Sequence, residues 1–445
     1  MLFLLWLPQA SYYPPWNDTS WYALLGESFW TKGEFGVLGV LKSKQLPLQA
    51  ILSYPLVRLA GYKIGMALST LLAGFAVLIV SFFLIRRAFG ERVAILSFLV
   101  LLFHHGFVLM TVQGSADLLF SALALLSIYG FLRAEDDERW YLCAGIAAGL
   151  ACLTRYNGAP LFVLYPLWTL WKRRAHLRSA WFWSGMIGGG FLFSLWLLRN
   201  FLTFGDPLAS DYWGEIEDNS PGLLTQIARN VLYYGNPLRN VLPFFLLTAL
   251  YGLRVLRRSH LFLVAAMLAL WAVAAIWFVQ GMRFAFPGYP ILLGFGVFGL
   301  IDLLRRAGRY GGILTVCAAL IIVPMHAAAL CVYTYGQCNA WFDRTVGILP
   351  ANMGLSPEGL YQWDRARRVL NEKAEPGATV VLDAPWHVAV WRELFRSDVR
   401  LTFEKAVDHD RDCPLYRIDQ SPRGKEVVHR TQDEPVTYVT VEHCL

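Results

Sequence analysis

The chain has 445 residues, of which 56% are hydrophobic and only 16% are charged, whereas soluble domains carry about 25% charged residues. This deficit excludes an ordinary soluble protein, because the chain cannot cover itself with polar surface in water, and it predicts an integral membrane protein. In such a protein the formal net charge of +7 indicates basic cytoplasmic loops rather than a nucleic-acid surface.

The chain begins with a short apolar segment and a long polar loop. Residues 1–7 are apolar but far shorter than the roughly 20 residues of a span, so we interpret them as the outer end of a helix that begins upstream. The outer loop that follows covers 8–61. Within it, Asn17 is a favourable N-cap and Gly33 a favourable stop for a short helix, which we expect to lie in the membrane interface.

The middle of the chain is a series of apolar runs. They cover about 62–85, 93–112, 115–132, 140–153, 159–171, 181–202, 238–256, 260–280, 285–304 and 311–333. Every second junction is rich in Arg or Lys, as the positive-inside rule requires. The pattern predicts an all-α polytopic membrane protein with about ten or eleven transmembrane helices, located in the cell membrane.

Residues 140–171 test this topology, because they are long for one span and short for two. A single span would invert every later junction, whereas two short helices that meet at 154–158 preserve the alternation of basic junctions. We therefore predict two short helices here.

The polar tail differs from the membrane part in composition. We divide the chain into a membrane domain, 1–333, and an extracytoplasmic tail, 334–445, that forms a small α/β domain. Short strands are predicted at 379–382, 399–403 and 436–441, and a helix at 356–372. Four cysteines at or beyond the end of the last apolar run allow one or two disulfides outside the cell, with no pairing readable: Cys331, Cys338, Cys413 and Cys444.

Two aspartates stand at helix starts on the expected outer face. Asp18 lies in the first turn of the loop helix, where the helix dipole stabilises a negative charge. It is a candidate general base at the mouth of a membrane cavity, or only a helix cap. Asp117 lies at the start of a span, where an acid needs a cavity or a partner; the alternative is again a cap, for which Ser115 competes.

Three arginines are expected on the same face: Arg155, which precedes Tyr156 in the 154–158 turn, Arg199 and Arg283. Each alone is compatible with an arginine that snorkels to the interface. Together with the two aspartates they indicate a site for a phosphorylated ligand, because guanidinium groups match phosphate oxygens. His104 and His105 are adjacent and point to different faces of a helix, which argues against a metal site, and we predict no cofactor.

These segments, in this order, resemble the C-type glycosyltransferases that use polyprenyl-phosphate-linked sugars, the superfamily of protein O-mannosyltransferases and lipid A aminoarabinose transferases. The resemblance covers about residues 1–305. It is carried by five segments: Asn17–Tyr22 with Gly33–Phe35, Ser115–Asp117, Thr154–Gly158, Arg199–Pro207, and Arg283 ahead of Pro287 and Pro290. Thr19 follows Asp18 where protein O-mannosyltransferases typically carry Glu, and the metal-binding Glu and His of aminoarabinose transferases have no clear match.

The resemblance implies an enzyme that moves a sugar from a polyprenyl-phosphate carrier to an acceptor hydroxyl on the extracytoplasmic face, with inversion. Asp18 would deprotonate the acceptor, which is a protein, a lipid or a glycan. Arg155, Arg199 and Arg283 would neutralise the leaving phosphate, and Asp117 would orient groups at the cavity mouth, with Tyr156 in the substrate site. The partners implied are the donor, the acceptor and the bilayer, without nucleic acid.

Two other classes of function fit the same pattern. Polar groups at broken helices also suit a transporter or flippase of a lipid-linked or anionic substrate, although they cluster at one face and not at the midplane. A non-catalytic subunit of glycan assembly would use the outer loops only for binding.

Overall fold

In the computed structural model of the chain, the described residues are 2–12, 18–210, 212, 222–235, 243–254, 258–277, 281–313, 357–382, 385–403, 407, 414–419, 426–430 and 438–442. The apolar run 311–333, apart from its first residues, lies outside them, as do Asn17 and the four cysteines of the outer region.

The N-terminal part contains three helices and a small hairpin. They are α1 (Leu2–Tyr12), α2 (Asp18–Lys32), β1 (Gly36–Val37), β2 (Val40–Leu41) and α3 (Pro47–Phe89). Gly33 ends α2 as predicted: its φ is +72°, and its N–H donates to the Phe29 carbonyl at 3.0 Å. Part of the predicted loop 8–61 is helical, because α1 extends to Tyr12 and α3 begins at Pro47. A break at Gly61 (φ +77°) divides α3.

Every predicted apolar run within the described residues coincides with helices. They are α4 (Glu91–Leu102), α5 (His105–Met110), α6 (Asp117–Arg133), α7 (Trp140–Cys152), α8 (Ala159–Lys172), α9 (Ala180–Phe204), α10 (Leu223–Gly235), α11 (Pro243–Leu253), α12 (Arg258–Ile276), α13 (Met282–Ala285) and α14 (Tyr289–Arg306). By length and composition, three described segments are sufficient to cross a membrane: 47–89, 180–204 and 283–306. The predicted division of 140–171 into two helices is confirmed.

Helices α7 and α9 pack so closely that only glycine fits at the positions where their backbones meet. A Cβ atom added to Gly145 or Gly149 would lie 2.1 or 2.2 Å from the backbone of α9, and one added to Gly189 would lie 2.0 Å from the Gly145 carbonyl oxygen. Small residues four apart on both helices permit this backbone contact, a common way for helices to associate in membranes. The contact fixes α7, and α7 leads directly into the 154–158 turn.

The C-terminal region is a small α/β domain, as predicted. It comprises α15 (Pro357–Lys373), β3 (Thr379–Leu382), α16 (Pro385–Trp391), β4 (Arg400–Phe403), β5 (Leu415–Asp419), β6 (Glu426–Arg430) and β7 (Tyr438–Glu442). The sheet order is β4-β3-β5-β7-β6, with β3 parallel to both β4 and β5, and the remaining pairs antiparallel. Strands β5 and β6 were not predicted, because neither has a strong apolar alternation.

Replacing Gly189 with Ala should destabilise the protein by about 1–3 kcal/mol, because the new methyl group pushes α7 and α9 apart. The apparent melting temperature in detergent measures this loss. Gly190→Ala on the same helix is the control, since nothing lies within 4 Å of a Cβ added there. Equal melting temperatures for the two variants would contradict the close contact.

Candidate active site

The start of α2 is fixed against the turn that precedes α6. The Thr19 hydroxyl donates a hydrogen bond to the Gln113 carbonyl. Gly114 adopts a φ of +65°, and a Cβ at this position would lie 2.5 Å from the Thr19 methyl group. A glycine here therefore permits both the left-handed turn and the close approach of Thr19. Asp18 and Asp117 are thus carried by two helix starts that are in direct contact.

Asp117 forms an ion pair with Arg155. Its side chain is only 1% exposed, and one carboxylate oxygen accepts a hydrogen bond from Arg155 Nη1. The other accepts from Ser115 Oγ at 2.9 Å. No side chain caps α6 at Ala116, so Ser115 holds the carboxylate rather than the helix end. A buried acid of this kind is tolerable because a cation and a hydroxyl both satisfy it.

Asp18 forms a second, more open ion pair with Arg283. Arg283 Nη1 lies 3.2 Å from Asp18 Oδ2, and the Asp18 side chain remains 38% exposed. Arg283 lies on the short helix α13, which is anchored where Trp271 Nε1 donates to the Ala285 carbonyl at 2.7 Å. Asp18 is therefore both paired with a cation and accessible to solvent.

The ring of Phe284 joins the two ion pairs. The guanidinium carbon of Arg155 lies 5.2 Å from the ring centroid, and that of Arg283 lies 4.8 Å from it. Cations within about 6 Å of an aromatic face are attracted by its quadrupole. The structure thus brings together four of the predicted site residues, Asp18, Asp117, Arg155 and Arg283, in one cluster.

A cavity of about 530 Å³ extends from this cluster. It is lined by Tyr22, Lys44, Leu46, Thr154, Arg155, Tyr156, Asn157, Leu208, Ser210, Tyr212, Leu223, Val273, Ala274, Ile276, Trp277 and Phe284. The ammonium group of Lys44 lies 5.0 Å from the centroid of the Tyr212 ring. Burial raises the pKa of Tyr22 well above its usual range, so its hydroxyl is neutral at physiological pH. The wall combines two cations with several aromatic rings, which suits a ligand with an anionic group and a sugar or lipid part.

Arg199 is not among the lining residues and holds the outer loop instead. It donates to the backbone carbonyls of Lys42 at 2.9 Å and Phe35 at 3.0 Å. Its guanidinium also lies 4.9 Å from the centroid of the Trp196 ring. Trp196 in turn donates to the Tyr156 hydroxyl at 3.3 Å, so Arg199 reaches the cavity only through neighbours.

Sequence reasoning missed several lining residues, above all Lys44, Tyr212 and Trp277. Lys44 lies in the predicted outer loop, but the loop contains other lysines and no pattern selects one of them. Tyr212 and Trp277 are far apart in sequence, and only the tertiary fold brings them to the same wall.

Within the part of the chain that the structure describes, no group of three or more His, Cys, Asp or Glu side chains is placed to hold a metal ion. His104 accepts a hydrogen bond at Nδ1 from the Phe107 N–H at 3.2 Å and packs against Tyr289, with ring centroids 5.0 Å apart. Its ring therefore serves the local turn and the packing of α14.

The chain is similar to known proteins in part of its sequence and in its fold. The profile of the dolichyl-phosphate-mannose-protein mannosyltransferase family matches residues 58–198. ArnT from Cupriavidus metallidurans in the apo state matches with a TM-score of 0.59 and 15% identity, over 99% of this chain and 96% of that chain. The same protein bound to undecaprenyl phosphate matches with a TM-score of 0.62 and 14% identity, with the same coverage. No curated protein sequence matches the chain.

The expected resemblance to the C-type glycosyltransferases is thereby confirmed. At 14–15% identity the likeness to ArnT shows the fold alone, while the matched profile supplies the family of enzymes that use lipid-phosphate sugar donors. Over residues 58–198 the chain thus resembles a family of membrane glycosyltransferases. The matched segment includes Asp117 and Arg155 but neither Asp18 nor Arg283, which join the cluster by geometry.

Replacing Arg155 with Met should destabilise the protein by about 3–5 kcal/mol, because Asp117 is left as a buried, uncompensated charge. The double variant Asp117→Asn/Arg155→Met should recover part of this loss. Melting temperatures in detergent measure both effects. Glu91→Gln, which removes an exposed ion pair with Arg86 at 4.0 Å, is the control and should cost less than about 1 kcal/mol. A double variant no more stable than Arg155→Met would contradict the pairing.

Proposed function

We propose that the protein transfers a sugar from a polyprenyl-phosphate carrier to an acceptor hydroxyl on the extracytoplasmic face, with inversion at the anomeric carbon. The observation that carries the proposal is the cluster in which the accessible Asp18 is 3.2 Å from Arg283, at a cavity with basic and aromatic walls. The cluster supplies a base for the acceptor and cations for the donor within one site.

The donor phosphate binds at the basic end of the cavity. Lys44 and Arg155 line the wall, and Arg283 is next to it through Phe284. Undecaprenyl phosphate, which ArnT binds in its solved complex, has the chemistry this end would accept. As the bond between the anomeric carbon and the phosphate oxygen breaks, negative charge accumulates on the phosphate, and these cations stabilise it. The leaving polyprenyl phosphate retains the electron pair.

The acceptor hydroxyl loses its proton to the Asp18 carboxylate as its oxygen attacks the anomeric carbon. Retention through a double displacement needs a second carboxylate as nucleophile. Asp117 is 1% exposed and engaged by Arg155, so it does not suit that role. Among the described residues of the cluster, Asp18 is the accessible carboxylate, which favours a single displacement that inverts the anomeric carbon. Arg199 serves the reaction by holding the outer loop, and Tyr156 by lining the cavity.

We place the site and the C-terminal domain outside the cytoplasm, because the basic junctions assign the opposite face to the inside. Single cysteines introduced at exposed Glu34 and Glu372 should both react with a membrane-impermeant maleimide added to intact spheroplasts. A cysteine in place of Arg174, in a basic junction, should react only after lysis. Labelling of 34 and 174 from the same side would overturn the topology.

Replacing Asp18 with Asn should lower sugar transfer by about 10²–10⁴-fold, the usual contribution of a general base, and leave binding of undecaprenyl phosphate intact. The transferred product is first defined by mass spectrometry of envelope glycans and glycolipids from cells with and without the gene. Glu34→Gln, an exposed carboxylate of the same loop, is the control. Unchanged transfer in Asp18→Asn would remove Asp18 from the mechanism.

Binding of undecaprenyl phosphate tests the role of Lys44. Lys44→Met should weaken undecaprenyl phosphate binding by about 10-fold or more, since a hydrogen bond to a charged group contributes about 1.5–3 kcal/mol. Lys42→Met should not weaken this binding, because the Lys42 ammonium group lies over Trp21 instead.

A transporter would show counterflow of lipid-linked substrate in vesicles with no new glycosidic bond.

A further inference from the structure

The C-terminal domain contacts the membrane part at the break in α3. Glu393, in a 3₁₀ turn (Arg392–Leu394) after α16, accepts hydrogen bonds from two backbone N–H groups of α3. Its Oε2 atom lies 3.1 Å from the Tyr62 nitrogen, and its Oε1 atom lies 2.6 Å from the Lys63 nitrogen. One carboxylate of the outer domain is therefore bonded to the backbone of a membrane-spanning helix.

The break at Gly61 creates the need for this contact. Gly61 leaves the helical conformation (φ +77°, ψ 168°). The N–H groups that follow it therefore cannot bond to the carbonyl groups of the preceding turn, as at any helix start. A carboxylate bonded to two of them satisfies these donors and complements the positive end of the helix dipole. Glu393 thus caps the second half of α3 from a different domain. A Cβ at Gly61 would lie 2.6 Å from Glu393 Oε2, so the fit requires glycine.

The capped helix start is linked to α2, the helix that begins with Asp18. The Tyr62 hydroxyl donates to Glu27 Oε2 at 2.7 Å, and Glu27 lies on the second half of α2. Leu24 and Leu25 of α2 also share one apolar cluster with residues of the C-terminal domain such as Trp391. α2 therefore contacts both α3 and the C-terminal domain.

We propose that Glu393 is a positioning residue for sugar transfer: by capping α3 at Gly61 it docks the C-terminal domain against α2 and holds Asp18 beside Arg283. The proposal rests on the proposed role of Asp18 as the base. It assigns the C-terminal domain a direct part in organising the site, although Glu393 touches no reacting group. A misplacement of the base by about 1 Å can cost about 10²-fold in rate.

Glu393→Ala in the full-length protein should lower the rate of transfer by about 10-fold or more at saturating donor, with the dissociation constant for undecaprenyl phosphate unchanged. Hydrogen exchange of the α2 amides, followed by mass spectrometry in detergent, should become faster than in the parent protein. Glu372→Ala, an exposed carboxylate on α15, is the matched control and should alter neither quantity. Parent-like transfer and parent-like exchange in Glu393→Ala would overturn the proposal.

A second variant probes the same contact from the other side. Gly61→Ala introduces a methyl group against Glu393 and should reproduce the lower rate and the faster exchange. If both act through one contact, the double variant Gly61→Ala/Glu393→Ala should be no slower than the worse single variant. Additive effects would overturn the shared contact. Should Glu393→Ala fail to fold, Glu393→Gln, which keeps one acceptor oxygen, should show an intermediate rate; a parent-like rate would overturn the role of the charge.

The hydrogen-exchange result separates this proposal from the catalytic one. If Asp18→Asn transfers sugar normally while Glu393→Ala still loosens α2, the docking contact stands and the role of Asp18 as base fails. If Asp18→Asn abolishes transfer while α2 is unaffected by Glu393→Ala, the base stands and the positioning role fails.

Discussion

A guanidinium group near the hydrocarbon of a bilayer needs an anion, and the structure meets this need for Arg155 with the buried carboxylate of Asp117. The pairing requires the 154–158 turn to lie beside the start of α6, and this fixes the end of α7 relative to α6. Phe284, packed against Arg155, then brings in α13 and with it Arg283. The cost of an unpaired charge in this environment therefore organises the site before any substrate is present.

Backbone contacts make that arrangement rigid. The glycines of α7 and α9 allow main-chain atoms to touch, so the helix that leads into the 154–158 turn cannot shift easily. Where the turn begins, the Leu153 carbonyl accepts a hydrogen bond from the Leu48 N–H at 3.0 Å, which joins the turn to the first residues of α3. A site built on such contacts keeps its charges in place without rearrangement, and electrostatic stabilisation of a transition state depends on this preorganisation.

The apolar runs and basic junctions predicted the helices, the division at 154–158 and the C-terminal α/β domain, because hydrophobicity and charge act over short stretches of sequence. They also placed Asp18, Asp117, Arg155 and Arg283 on one face. They did not predict which aspartate pairs with which arginine, since that depends on tertiary distances. For the same reason Arg199 was expected at the ligand, whereas its hydrogen bonds go to loop carbonyls. The break at Gly61 and its cap, 332 positions further along the chain, leave no local pattern.

The two Asp–Arg pairs differ in exposure, and this difference fits a division of roles. Asp117 is closed off by Arg155 and Ser115, so its charge is fixed and unavailable for chemistry. Asp18 shares its cation through a longer contact and remains 38% exposed, so an acceptor can approach it. An entering phosphate would compete with Asp18 for Arg283, since both are anions that the same guanidinium can bind. Donor binding and the exposure of Asp18 would then be linked through Arg283, while the Asp117–Arg155 pair stays in place.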